Sequence, residues 1–259
     1  MPVLPTLFIS HGSPLHAVQP GAAGAAWATL ARTIPRPRAL LVATAHWEGN
    51  LPMLSGNAHP ETIHDFGGFP DALYAIRYAA PGAPELAARA AGLLKSAGIT
   101  AGVDGCRGLD HGTWVPLRQM YPDADVPVVQ LSVQPGRGPR HHHEVGRALA
   151  PLAAEGVLVI GSGHLTHNLS DWMRSRGQHQ PLAYARNFQA WVFERLAQGA
   201  IEDLLAYRER APEAERAHPT DEHFLPLFVA LGAAGDAHAE RVFSGFEGNA
   251  LAMDAYRFG

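Results

Sequence analysis

The chain has 259 residues, 47% of them hydrophobic, and a net charge of −4 with histidines neutral. That composition fits an ordinary globular chain with a full apolar core. The mild acidic balance excludes a nucleic-acid surface, which needs a clustered basic excess; the local basic cluster is Arg137 and Arg140 with the histidines beside them. A lone cysteine, Cys106, permits no internal disulfide. With no basic region and apolar run at the N-terminus, the expected compartment is cytoplasmic. No apolar run reaches the roughly 20 residues that span a bilayer, so no membrane association is expected.

In chain order, Val3 to Ser10 predicts a strand that stops at His11-Gly12-Ser13-Pro14, where turn residues take over. An alanine-rich helix is expected from about Gly24 to Thr33, before Pro35 and Pro37 break the chain. Ala39 to Ala45 reads as a second buried strand ending at His46, and Leu51 to Pro70, dense in Gly and Pro, as an extended loop. Pro84 to Ala97 has helical periodicity, and Val126 to Val133 is a third strand. Pro135 to Arg140 is expected to be a flexible surface loop, followed by a helix from about His142 to Ala154. Gly156 to Ile160 is a fourth strand, ending at a Gly161-Ser162-Gly163 turn. Helices are expected within Pro181 to Ala206 and from about Asp221 to Ala234, then edge strands near Arg241 to Phe246 and Ala250 to Arg257. Apolar strands alternating with helices predict one α/β domain over residues 1–259, with a central mostly parallel or mixed sheet flanked by helices.

Histidine is the unusual residue, with 15 copies against one cysteine. Three of the apolar runs end at one: His11, His46, and the pair His164 and His167. In open α/β sheets the crevice at the carboxyl ends of the strands is where sites form. A neutral imidazole is both a metal ligand and a proton carrier near neutral pH. A lone histidine after a strand is more often a hydrogen-bonded turn residue, but three strands with the same feature favour a shared metal site at their C-terminal ends. The glycines nearby make no phosphate loop, dinucleotide fingerprint or GxSxG elbow, and no HExxH helix is present. Asp221-Glu222-His223 places an acid beside a further histidine.

Six segments occur in order: FISHGSP from Phe8, ATAHW from Ala43, IHDFGGFP from Ile63, LDHGTW from Leu109, GSGHLTHNL from Gly161 and PTDEHFLPL from Pro219. Together they resemble the class III (LigB-type) extradiol ring-cleavage dioxygenases, in particular the 4,5-DOPA dioxygenase extradiol group, over nearly the whole chain. The resemblance implies that His11, His46 and His223 are metal ligands, with Glu222 the alternative in the third place. It makes His167 the acid/base catalyst, and a fourth ligand when zinc is bound. It makes His111 a second catalytic imidazole contacting substrate or oxygen. His64 is expected to line the substrate pocket, and Asp65 to orient an imidazole or cap a turn. His164 departs from the family pattern and is left outside the site. His218 and His141 to His143 are expected at the surface or as helix caps.

The implied chemistry is opening of a catechol ring beside its diol by dioxygen at a mononuclear non-haem centre. Fe(II) is the metal expected for activity, with Zn(II) able to occupy the same donors in purified protein. The small-molecule catechol and O2 are the expected partners. Two alternatives share the residues: a zinc-dependent hydrolase, which would use the same imidazoles to activate water, and a non-catalytic interaction protein of the same fold.

Overall fold

The computed structural model describes residues 3–259 apart from Arg176 and His179. Its strands are β1 (Thr6–Ser10), β2 (Ala39–Glu48), β3 (Met53–Ser55), β4 (Gly102–Asp104), β5 (Val128–Val133), β6 (Val157–Gly163), β7 (Ala239–Phe243), β8 (Phe246–Glu247), β9 (Leu251–Ala252) and β10 (Ala255–Phe258). Eight of them form one sheet in the order β4-β3-β5-β2-β6-β1-β10-β7, and β8 with β9 makes a separate hairpin. The central four, β5, β2, β6 and β1, run parallel, while β3 joins β5 and β10 joins β1 antiparallel. The sheet is therefore mixed, in a single α/β domain.

The parallel strands are apolar throughout because both faces are covered. Leu40, Val42, Leu158 and Ile160 pack with Trp27, Leu30 and Trp114 from the helices Gly21–Thr33 and His111–Met120. The alternate residues Leu41, Ala43, Val157 and Val159 pack with Val145, Leu149 and Val229 from the helices Gly138–Leu149 and Leu225–Ala234. This two-residue alternation is the pleat sorting one strand's side chains between two cores. Among the described residues no helix is long and apolar enough to cross a membrane.

Several boundaries differ from expectation. The segment Pro135 to Arg140 is a short 3-10 turn running into the helix Gly138–Leu149, not a flexible loop. Pro139 falls in the first helical turn, where its missing N–H and fixed φ fit the helix. Gly161-Ser162-Gly163 is the buried end of β6, not a turn. A Cβ on Gly163 would run into the His223 carbonyl, so glycine lets the segment bearing His223 lie against the strand end. The last long helix begins at Leu225 rather than Asp221, with Pro226 in its first turn and His223 in the turn before it. The helix His111–Met120 was not anticipated: Asp110 caps it by accepting from the Thr113 N–H at 3.2 Å.

Candidate metal centre

The ends of β1, β2 and β6, the start of the helix His111–Met120 and the turn before Leu225 bring His11, His46, His223, His167, His111 and His164 around one cavity of about 410 Å³. The β2–β5 register slips between Ala43 and Glu48, an irregularity of the kind that re-aims side chains beside sites, and His46 stands within it. Gly112 makes the close approach of the neighbouring helix possible, since a Cβ there would lie 2.8 Å from His46 Cδ2.

Each of three imidazoles is pinned from behind. Ser162 donates its hydroxyl to Gly112 O, so its Oγ, 3.1 Å from His11 Nδ1, accepts that nitrogen's proton. His46 Nδ1 faces Asp65 Oδ2 at 3.3 Å, and His223 Nδ1 faces Glu222 Oε1 at 2.9 Å. With Nδ1 protonated in all three, each Nε2 presents a lone pair. Those lone pairs converge: His11 Nε2 to His46 Nε2 is 3.1 Å, and His46 Nε2 to His223 Nε2 is 3.3 Å. Burial first, and then the neighbouring imidazoles, push all three well below the usual histidine range, so none carries a proton at Nε2 near neutrality. Facing lone pairs repel unless a cation stands between them. Ligands about 2.1 Å from a four- to six-coordinate ion lie about 2.9–3.4 Å from one another, and the observed separations fall in that interval. The donor set fits one divalent metal ion, with carboxylate and hydroxyl partners behind the imidazoles as such sites require.

Glu222 stands behind His223 on its Nδ1 side and does not join the group formed by His11, His46 and His223, whose donor atoms all lie within 4.8 Å of one another. His167 lines the cavity and lies flat on His223. Burial first, then His111, pushes it down to about 4, so it is neutral at pH 7. His111 Nδ1 is 3.0 Å from Asp65 Oδ1, which also accepts the His111 backbone N–H at 2.9 Å. Asp65 thus serves His46 with one oxygen and His111 with the other. Burial alone would raise its pKa, but the hydrogen bonds and charge of His111, aided by His46, hold it at about 2.

Other expectations do not hold in place. His64 is turned out of the cavity wall: its Nε2 is 3.1 Å from Ile76 O and its ring packs on Phe66, Tyr74 and Trp114. His164, left outside the site on sequence grounds, lines the cavity, and its Nε2 accepts the Gly12 N–H at 3.1 Å. His218 is wholly buried, donating Nε2–H to Leu165 O at 2.8 Å and stacking on Phe224. His141 and His142 are also buried, the latter bonded to Gly138 O and to the Gln134 N–H. Each of these rings has at least one internal hydrogen-bond partner, which offsets part of the cost of burying it, although Nδ1 of His164 and of His218 is buried without one. Sequence reasoning missed Ser162 as a partner of His11, and the apolar wall of Phe66, Phe69, Leu169, Trp172 and Leu251. No sequence signal distinguishes that wall from ordinary core.

The family described as "Catalytic LigB subunit of aromatic ring-opening dioxygenase" matches residues 5–259. A curated relative from Beta vulgaris, "4,5-DOPA dioxygenase extradiol", is 43% identical over 258 residues, covering 98% of this chain and 96% of that one. A relative of the same description from Escherichia coli K12 is 40% identical over 233 residues, covering 89% and 85%. The crystal structure of an uncharacterized Escherichia coli K12 protein superposes with a TM-score of 0.82 at 33% identity, covering 99% of this chain and 100% of that one. With an imidazole cage that fits a metal and a match over nearly its full length, this chain belongs to the LigB family of aromatic ring-opening dioxygenases, metal-dependent enzymes of the extradiol type.

Proposed function

We propose that the enzyme opens the ring of a substituted catechol of the DOPA type beside its diol, using O2, with Fe(II) held by His11, His46 and His223. The observation that carries this reading is the convergence of three Nε2 atoms whose rings each face an acceptor on the Nδ1 side: Ser162 for His11, Glu222 for His223 and, at 3.3 Å, Asp65 for His46. A bound Fe(II) supplies open positions for catechol and dioxygen and a path for electron density between them.

The chain's own groups do the rest. Phe66, Phe69 and Leu251 give the aromatic ring an apolar slot and exclude water from the imidazoles. His167, neutral and buried, accepts a proton from a catechol hydroxyl and returns it as the ring opens. Its place against His223 keeps it beside the diol end of the substrate. His111, braced by Asp65, stabilises negative charge developing on the oxygen co-substrate. The same placement permits His167 to serve as a fourth ligand when zinc fills the site. Residues 1–259 act as one catalytic unit in this reading.

Anaerobic reconstitution with Fe(II), followed by oxygen uptake against a panel of catechols, tests the proposal. Stoichiometric O2 consumption with a yellow, visible-absorbing product is the expected result. Hydrolysis without O2 in the zinc-loaded protein, and no uptake with iron, would replace it with the hydrolase.

A further inference from the structure

The diol end of a catechol must lie at the imidazoles, so its side chain extends along the rest of the cavity wall. That wall is apolar, except for one carboxylate not committed to the histidine cage, Glu247. Among the described residues no lysine or arginine lines the cavity.

Glu247 is fixed in place. It sits in β8, paired with Leu251 of β9 across the hairpin, and both residues face the cavity. Its Oε2 accepts the Ser13 N–H at 2.9 Å and lies 3.1 Å from His16 Nε2. The other nitrogen of His16 is 3.1 Å from Pro20 O. Both neighbours of the His16 ring are acceptors, Pro20 O at Nδ1 and Glu247 Oε2 at Nε2, an arrangement that favours the doubly protonated ring and its ion pair with Glu247. Burial works against that charge, but the hydrogen bond and charge of Glu247 and the Pro20 carbonyl outweigh it and raise the His16 pKa. A carboxylate has about four acceptor positions; these bonds take two at one oxygen, and His16 itself lies outside the cavity lining.

We propose that Glu247 is a specificity-determining residue that binds a cationic ammonium on the catechol side chain, so that the cavity selects ammonium-bearing catechols over those whose side chain is neutral or carries a carboxylate alone. This rests on the ring-cleavage reading for the placement of the diol. An ammonium finds an anchored anion in an apolar wall, where a charge-assisted hydrogen bond is strong. A side-chain carboxylate would meet the same anion with no lysine or arginine in the described lining to offset it.

The test uses three ligands that share the catechol: 3,4-dihydroxyphenethylamine, 4-ethylcatechol and 3,4-dihydroxyphenylacetate. Binding to the zinc-loaded protein is measured anaerobically by calorimetry, and kcat/KM is measured with the iron form. The amine is expected to bind roughly tenfold or more tighter than 4-ethylcatechol, and the carboxylate weakest. E247Q should bring the amine-to-ethyl ratio close to one. H16Q breaks the same ion pair but leaves the anion, so it should keep the preference. Equal binding of amine and 4-ethylcatechol, no measurable binding of the amine, or equal collapse of the ratio in both variants would overturn the proposal. A binding preference without ring cleavage by the iron form would overturn the proposed function and leave the ammonium subsite standing.

Discussion

His167 lies parallel to His223, ring centroids 3.5 Å apart and planes 15° from one another. In the proposed mechanism the ring assigned to the metal therefore also sets the position of the ring assigned to proton transfer. His167→Phe preserves the stacked surface and removes only the nitrogens. The expected result is a folded protein with unchanged metal content and kcat lowered roughly 10²- to 10⁴-fold. Wild-type turnover by this variant would remove His167 from the mechanism.

Truncating a cage imidazole should act on the ion first. His11→Ala, His46→Ala and His223→Ala are each expected to lose bound metal by elemental analysis, and to lose the rise in Tm that added Zn(II) gives the parent protein. A variant that kept one ion per chain would exclude that histidine as a ligand. Glu222→Gln keeps an acceptor at His223 Nδ1, so it should retain metal.

Asp65 links two imidazoles, 3.3 Å from His46 Nδ1 and 3.0 Å from His111 Nδ1. Asp65→Asn removes the charge that orients both. Metal affinity should fall roughly 10- to 100-fold, the usual cost of losing a carboxylate behind a ligating histidine, and kcat should fall even at saturating metal because His111 loses its brace. Titration with a competing chelator separates the two effects.

Acid should destabilise the fold before it protonates carboxylates, and His142 is one named reason. Burial first, then the charges of His141 and Arg137, hold it at about 4 against an ordinary value of 6.5, despite the opposing Gly138 carbonyl. The unfolded chain takes up this proton first as pH falls. The stabilisation is therefore complete above about 6.5, declines below it, and is gone once pH passes about 4. Its size is on the order of 3 kcal/mol. Urea unfolding across this interval should show the decline, and His142→Gln, which has no such proton to take up, should flatten that part of the curve.

The positions of His11, His46 and His167 were legible in the sequence because parallel, doubly covered strands appear as apolar runs, and the residue that ends such a run lies at the crevice. The helix that carries His111 was hidden because Asp110, Gly112 and Pro116 look like turn residues; one caps, one allows close approach to His46, and one sits inside the helix. Glu247 was hidden for a different reason. Its strand has two residues, too few to show any period, and its meaning depends on Ser13 and His16, more than two hundred positions away. His218 and His142 look like surface residues by type, and only their internal partners, Leu165 O and Gly138 O, explain their burial.

The cage spans sequence as well as space: His46 and His223 are 177 positions apart, and Gly163 must already be in its strand for the turn bearing His223 to settle. A nascent chain still lacking its C-terminal third has two imidazoles and nothing to close them. With His11, His46 and His223 as the proposed ligands, metal capture is expected late in biogenesis, and a prematurely terminated polypeptide should emerge from the ribosome unable to retain its ion.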